Sequence, residues 1–150
     1  MTDPAEKPAM TETHAAEKPF KALVLVAHGS RREASNDEVR NLARNLRAVD
    51  DSFRHVACAF LELAEPSIPN GLRDAIAAGA GEVVVLPYFL SAGRHVVADI
   101  PAEVAVVQAE HPDIPIRVAP YLGAADGIVQ ILLQQASGND KVESSGDATR

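Results

Sequence analysis

The chain has 150 residues, a net charge of −7, 47% apolar residues and 23% charged ones. That balance suits a single globular domain with a buried core. No apolar run approaches the roughly 20 residues needed to span a bilayer, and the N-terminus lacks a signal-peptide hydrophobic region, so neither membrane insertion nor secretion is expected. No Lys/Arg stripe marks a nucleic-acid surface. The single cysteine, Cys58, lies in an apolar run. It cannot make an intrachain disulfide or a multi-cysteine metal site, and it reads as a small buried hydrophobe in a cytoplasmic protein.

Residues 1–19 are rich in Pro, Glu, Thr and Lys and carry no apolar period. They are expected to form a disordered tail, as are residues 137–150, leaving a folded domain over residues 20–136. The run from Lys21 to Ala27 is continuous and β-branched, as in a strand covered on both faces. Glu33 to Val49 places Val39, Leu42, Ala43, Leu46 and Val49 on one helical face. Arg54 to Leu61 reads as a second buried strand. Pro66 to Ala78 reads as a helix with Ile68, Leu72, Ala75 and Ile76 on its stripe, stopped by Gly79. Glu82 to Pro87 is a third strand, followed by a loop through Arg94. A third helix is marked by Val96, Ile100, Val104 and Val107, with Pro101 in its first turn. A short edge strand is expected at 115–119, and a last helix over 126–136 with Ile128, Ile131, Leu132 and Gln135 on one face. The alternation predicts an α/β fold in three layers: a four-stranded, mainly parallel sheet with helices on both faces.

Ligands of open parallel sheets bind beyond the carboxyl ends of the strands. His28 follows the first strand, Glu62 the second, and His95 lies in the loop after the third. Two imidazoles and a carboxylate should therefore emerge at one sheet edge. Imidazole suits first-row divalent metals, and a carboxylate compensates charge. Arg31, Arg32 and Arg94 flank the histidines and could pair bidentately with ligand carboxylates. Gly29 would let the backbone pass close to a large flat ligand, and Ser30 and Gly93 complete the candidate substrate loops. Each residue also has a plainer reading. A histidine after a buried strand can simply bond a nearby carbonyl, and a carboxylate ahead of a helix is favoured electrostatically. His14 in the tail, His55 at a strand start and His111 at a helix end invite only the plainer reading.

Four stretches, LVLVAHGSRREASNDE (23–38), AFLELAEPSIPNGL (59–72), VVVLPYFLSAGRHVVADIP (83–101) and IRVAPYLG (116–123), together resemble the class II tetrapyrrole chelatases. The likeness is to the short, single-domain sirohydrochlorin cobaltochelatases and ferrochelatases, over about residues 21–136. The resemblance implies a chelatase fold related to half of a longer two-lobed enzyme. It implies that His28 and His95 handle the metal and that Glu62 aids metal delivery or proton removal. It also implies a homodimer, and a divalent ion (cobalt, iron or nickel) that is substrate and not a tightly bound cofactor. Ala27 stands where many relatives have glycine. There is no histidine-rich stretch and no cysteine cluster for an iron–sulfur centre. Two other functions stay open on the residues alone: a non-enzymatic metal or tetrapyrrole carrier, and a phosphohistidine-type phosphatase using His28.

Overall fold

A computed structural model describes residues 18–138. The tails expected at 1–19 and 137–150 lie outside this span apart from residues 18, 19, 137 and 138. The elements are β1 (Phe20–Ala27), α1 (Glu33–Val49), β2 (His55–Phe60), α2 (Ile68–Ala77), β3 (Ala80–Pro87), a π-helical turn (His95–Asp99) running directly into α3 (Ile100–Glu110), β4 (Ile116–Val118), a 3-10 turn (Leu122–Ala124) and α4 (Ile128–Ala136).

The four strands are all parallel and lie in the order β2-β1-β3-β4. β1 is central and apolar on both faces. Ala22, Val24 and Val26 point into a core shared with Val83 and Val85 of β3, Ile68, Leu72 and Ala75 of α2, and Ile100, Val104 and Val107 of α3. Leu25 and Ala27 point the other way, toward Cys58 and Phe60 of β2 and the α1 stripe of Val39, Leu42, Ala43 and Leu46. The side-chain period of two in a strand requires this division. Burial pushes the Cys58 thiol up from its ordinary value, as for a packing residue. Across the helices of one face, Arg73 of α2 makes a bidentate pair with Glu110 of α3, with N–O separations of 2.9 and 2.6 Å. That guanidinium holds the Glu110 carboxyl below its usual range. Gly79 ends α2 at a φ of +112°, a conformation glycine adopts cheaply.

Three expectations need correction. Val49, assigned to the buried face of α1, is 87% exposed. A helix of 17 residues runs roughly 25 Å and the six-residue β2 it covers only about 20 Å, so its last turn overshoots. His95 is the first residue of a π-helical turn and not part of a loop. Pro101 therefore stands inside a longer helical run. It has no N–H to give and would crowd the carbonyl four residues back in a regular helix, and the wider turn lies just upstream of it. Finally, α4 begins at Ile128 and not at 126; its main contacts are with the 3-10 turn before it, and none of its residues is buried.

Candidate metal site at the carboxyl edge

β1 connects leftward to β2 through α1, whereas β3 connects onward to β4 through α3 on the opposite face. The connection reverses between β1 and β3, which is where open α/β sheets bind ligands. His28 leaves the end of β1 and His95 follows β3, so each histidine flanks that crevice. Their ring centroids stand 5.0 Å apart with the planes at 65°. Glu62 joins them because parallel pairing continues past the last strand residues. The Leu61 amide donates to the Ala27 carbonyl at 2.9 Å, and the Glu62 amide to the His28 carbonyl at 3.0 Å. Glu62 Oε1 then lies 3.2 Å from His28 Nε2, with both side chains about half exposed. His28 Nδ1 lies 3.1 Å from the Gly29 carbonyl oxygen.

Gly29 has a φ of +92°, and a β-carbon there would sit 1.8 Å from the Glu62 carbonyl oxygen. The close approach foreseen at Gly29 is thus made by the protein's own backbone. Glycine is what lets the His28 and Glu62 segments touch. Ser30 is held by Asn36, which reaches back from α1. The Ser30 amide donates to Asn36 Oδ1 at 2.9 Å, and Asn36 Nδ2 donates to the Ser30 carbonyl at 2.8 Å. Ser30 Oγ accepts from the Arg32 amide at the start of α1. Asn36 is almost completely buried, and sequence reasoning missed it. The available signal was a polar residue one turn ahead of Val39 and Arg40, close to the apolar stripe.

His95 is mounted differently. The Gly93 carbonyl accepts from the amides of Val96 and Val97 and so starts the helical run. His95 Nδ1 lies 2.8 Å from Asp99 Oδ2. Asp99 is the second functional candidate that the sequence reading did not name. A groove of about 270 Å³ opens beside His95, lined by Leu61, Glu62, His95, Asp99, Ala102 and Glu103. Arg31, Arg32 and Arg94 are exposed around the two histidines. The guanidinium groups of all three have no ion-pair partner among the described residues. Large apolar side chains on the same edge are exposed as well: Leu63 directly after Glu62, Val97 two residues after His95, and Tyr88 and Leu90 after β3. His55 starts β2 at the far end of the strand, as expected. His14 lies outside the described residues. Among the described residues, no group of three or more His, Cys, Asp or Glu side chains is arranged to hold a metal ion unaided. No helix among them is long and apolar enough to cross a membrane.

Such an edge offers two imidazoles for a borderline metal, a carboxylate on one of them, cationic groups around them and flat apolar surface beside them. Comparison with known proteins agrees. The CbiX family model matches residues 22–139. The sirohydrochlorin cobaltochelatase of Methanocaldococcus jannaschii is 30% identical over 143 residues, covering 79% of this chain and 99% of that protein. The sirohydrochlorin ferrochelatase of Priestia megaterium is 32% identical over 127 residues, covering 83% of this chain but 47% of that protein. The crystal structure of the sirohydrochlorin chelatase SirB from Bacillus subtilis subspecies spizizenii, in complex with cobalt, superposes with a TM-score of 0.70 at 28% identity, over 79% of this chain and 50% of that one. The fold, the edge at which the histidines meet and the family match over most of the chain lead to one conclusion: this chain belongs to the CbiX family.

Proposed function

We propose that this chain is a sirohydrochlorin metal chelatase that exchanges two pyrrole N–H protons for one divalent ion, cobalt or iron and also nickel. The observation that carries the proposal is the 5.0 Å separation of the His28 and His95 rings at the sheet's switch point, with Glu62 on His28. Two imidazoles leave most of an ion's coordination sphere to water and to the macrocycle nitrogens. That suits an ion which must be released into product. The groove beside His95 has room for an ion and its water. A flat macrocycle needs more, since sites for drug-sized ligands run to roughly 300–1,000 Å³. The ring therefore lies across the open edge against Leu63, Val97 and Leu90, with Arg31, Arg32 and Arg94 taking its carboxylates.

In this scheme His28 and His95 hold the ion over the ring centre. As the ion passes into the ring, the two pyrrole protons go to the imidazoles it leaves, and Glu62, on His28, compensates the ion's charge and passes protons out to water. Gly29 and Ser30 shape the loop that follows His28, and Gly93 starts the helical run that carries His95. The protein supplies position and electrostatics and needs no tightly bound cofactor.

The proposal includes a cytoplasmic homodimer. The nine residues of α4 carry no charge, and Val129, Ile131, Leu132 and Leu133 are 49–60% exposed. A patch of that kind marks an interface. A membrane is a poor occupant, because an interfacial helix wants a basic polar face. A second copy is the natural one, since the Priestia megaterium and Bacillus subtilis relatives are about twice as long as the part this chain matches. In light scattering the wild type should run as a dimer, and a variant carrying Ile131→Glu and Leu132→Glu as a monomer. A monomeric wild type removes the dimer from the scheme.

The decisive experiment follows the absorbance of sirohydrochlorin with Co²⁺, Fe²⁺ or Ni²⁺. Insertion well above the spontaneous rate, lost in His28→Ala, is expected. Product binding without acceleration would indicate a carrier. Phosphate release that ignores His95 would indicate a phosphatase.

A further inference from the structure

The π-helical turn that carries His95 also carries Asp99, and its closing bond runs from the Ile100 amide back to the His95 carbonyl. In a regular α-helix, residues four apart are offset by roughly 40° around the axis. Asp99 Oδ2 stands 2.8 Å from His95 Nδ1, and both side chains are partly exposed at the groove.

Asp99 lies inside one continuous helical run, so no free helix-terminal amide competes for its side chain, which makes no capping bond. Nor is Asp99 paired with an arginine or lysine among the described residues. Its carboxylate is given to the imidazole alone. A carboxylate accepts, so His95 Nδ1–H donates, and the lone pair is left on Nε2. His28 is set up otherwise: its Nδ1 faces the Gly29 carbonyl and its Nε2 faces Glu62.

We propose that Asp99 is a positioning residue for metal delivery, fixing the His95 tautomer and ring so that Nε2 is the open donor to the incoming ion. The inference rests on the chelatase reading, in which His95 is a metal ligand. Carboxylate partners of ligating histidines orient the ring and raise its basicity, and losing one typically costs about 10–100-fold in metal affinity or activity.

The test titrates Co²⁺ alone into the full-length protein without tetrapyrrole, reading visible absorbance and heat, for the wild type, Asp99→Ala, Asp99→Asn and His95→Ala. Long-range ¹H–¹⁵N correlation reports the His95 tautomer. Asp99→Ala should weaken Co²⁺ binding by about 10–100-fold and mix the tautomers. In turnover it should raise the KM for Co²⁺ and leave that for sirohydrochlorin unchanged. Asp99→Asn, whose amide oxygen can still accept from Nδ1–H, should fall between Asp99→Ala and the wild type. If His95→Ala abolishes Co²⁺ binding while Asp99→Ala keeps both affinity and tautomer, the role of Asp99 is overturned and the chelatase site stands. If His95→Ala binds Co²⁺ like the wild type, His95 is no ligand and both ideas fall together.

Discussion

His28 and His95 reach the same opening from mounts of opposite kinds. His28 is held by backbone: a glycine at positive φ, an amide-to-carbonyl bond from Glu62, and a loop latched by the buried Asn36. His95 is held by a side chain, the Asp99 carboxylate, on a partly exposed helical turn. The comparison teaches that a backbone mount has no conservative substitute, whereas a side-chain mount can be weakened in steps. Variants can break or sharpen that contrast.

The largest effect should come from Gly29→Ala. Its methyl would meet the Glu62 carbonyl oxygen at 1.8 Å, in a conformation that L side chains rarely adopt. Glu62 and His28 must then separate. A misplacement of about 1 Å can cost about 10²-fold in rate. Initial rates of Co²⁺ insertion should fall at least that far, with a lowered melting temperature. Near-wild-type rates would show that the His28 mount tolerates movement and that the two mounts do not differ as described.

Asn36→Ala comes next. It removes the almost fully buried Asn36 side chain and strips the Ser30 amide and carbonyl, on a half-buried residue, of their side-chain partners. Leaving buried polar groups unpaired costs about 1–3 kcal/mol. Urea unfolding should show a loss in that range, and chelation should fall more than the stability loss alone explains. A change within error would mean that the latch is decorative.

The legibility of these features in the sequence follows their physics. His28 and Glu62 could be placed because β1 and β2 are apolar runs with sharp polar ends, and parallel sheets expose those ends on one edge. His95 could be placed by its edge but not by its local structure, since five residues cannot distinguish a π-turn from the loop before a helix. Asp99 stands four residues from His95, a spacing at which helical side chains meet, and it is missed when His95 is placed in the loop before the helix. Asn36 was hidden because helical periodicity ranks positions by apolar burial and says nothing about a polar residue bonding to the preceding loop. In α4 the stripe was read correctly as a face to be covered, but periodicity says nothing about what covers it. The structure leaves that face open.

The smallest predicted effect probes whether charge also props the His28 mount. Glu33 sits at the head of α1, where its carboxylate accepts from Arg40 and, at 3.2 Å, from Asn36 Nδ2. Arg40 in turn pairs with Asp37 at 2.8 Å and lies over the Phe60 ring. The Arg40 guanidinium first, and the Asn36 amide second, hold the Glu33 carboxyl below its ordinary value of 4.5. A carboxyl lowered by folding adds stability above its unfolded value and loses it as pH falls through the folded one. The Glu33 share should therefore be intact near neutrality and fade as the pH falls below the ordinary carboxyl value of 4.5. Glu33 is fully exposed, so the share is small and screened by salt. The measurable consequence is a flatter acid limb of melting temperature against pH in Glu33→Gln, most visible at low ionic strength. If that variant loses stability in acid as steeply as the wild type, Asn36 latches Ser30 without help from the Glu33–Arg40 pair, and the mount is one of backbone and amide alone.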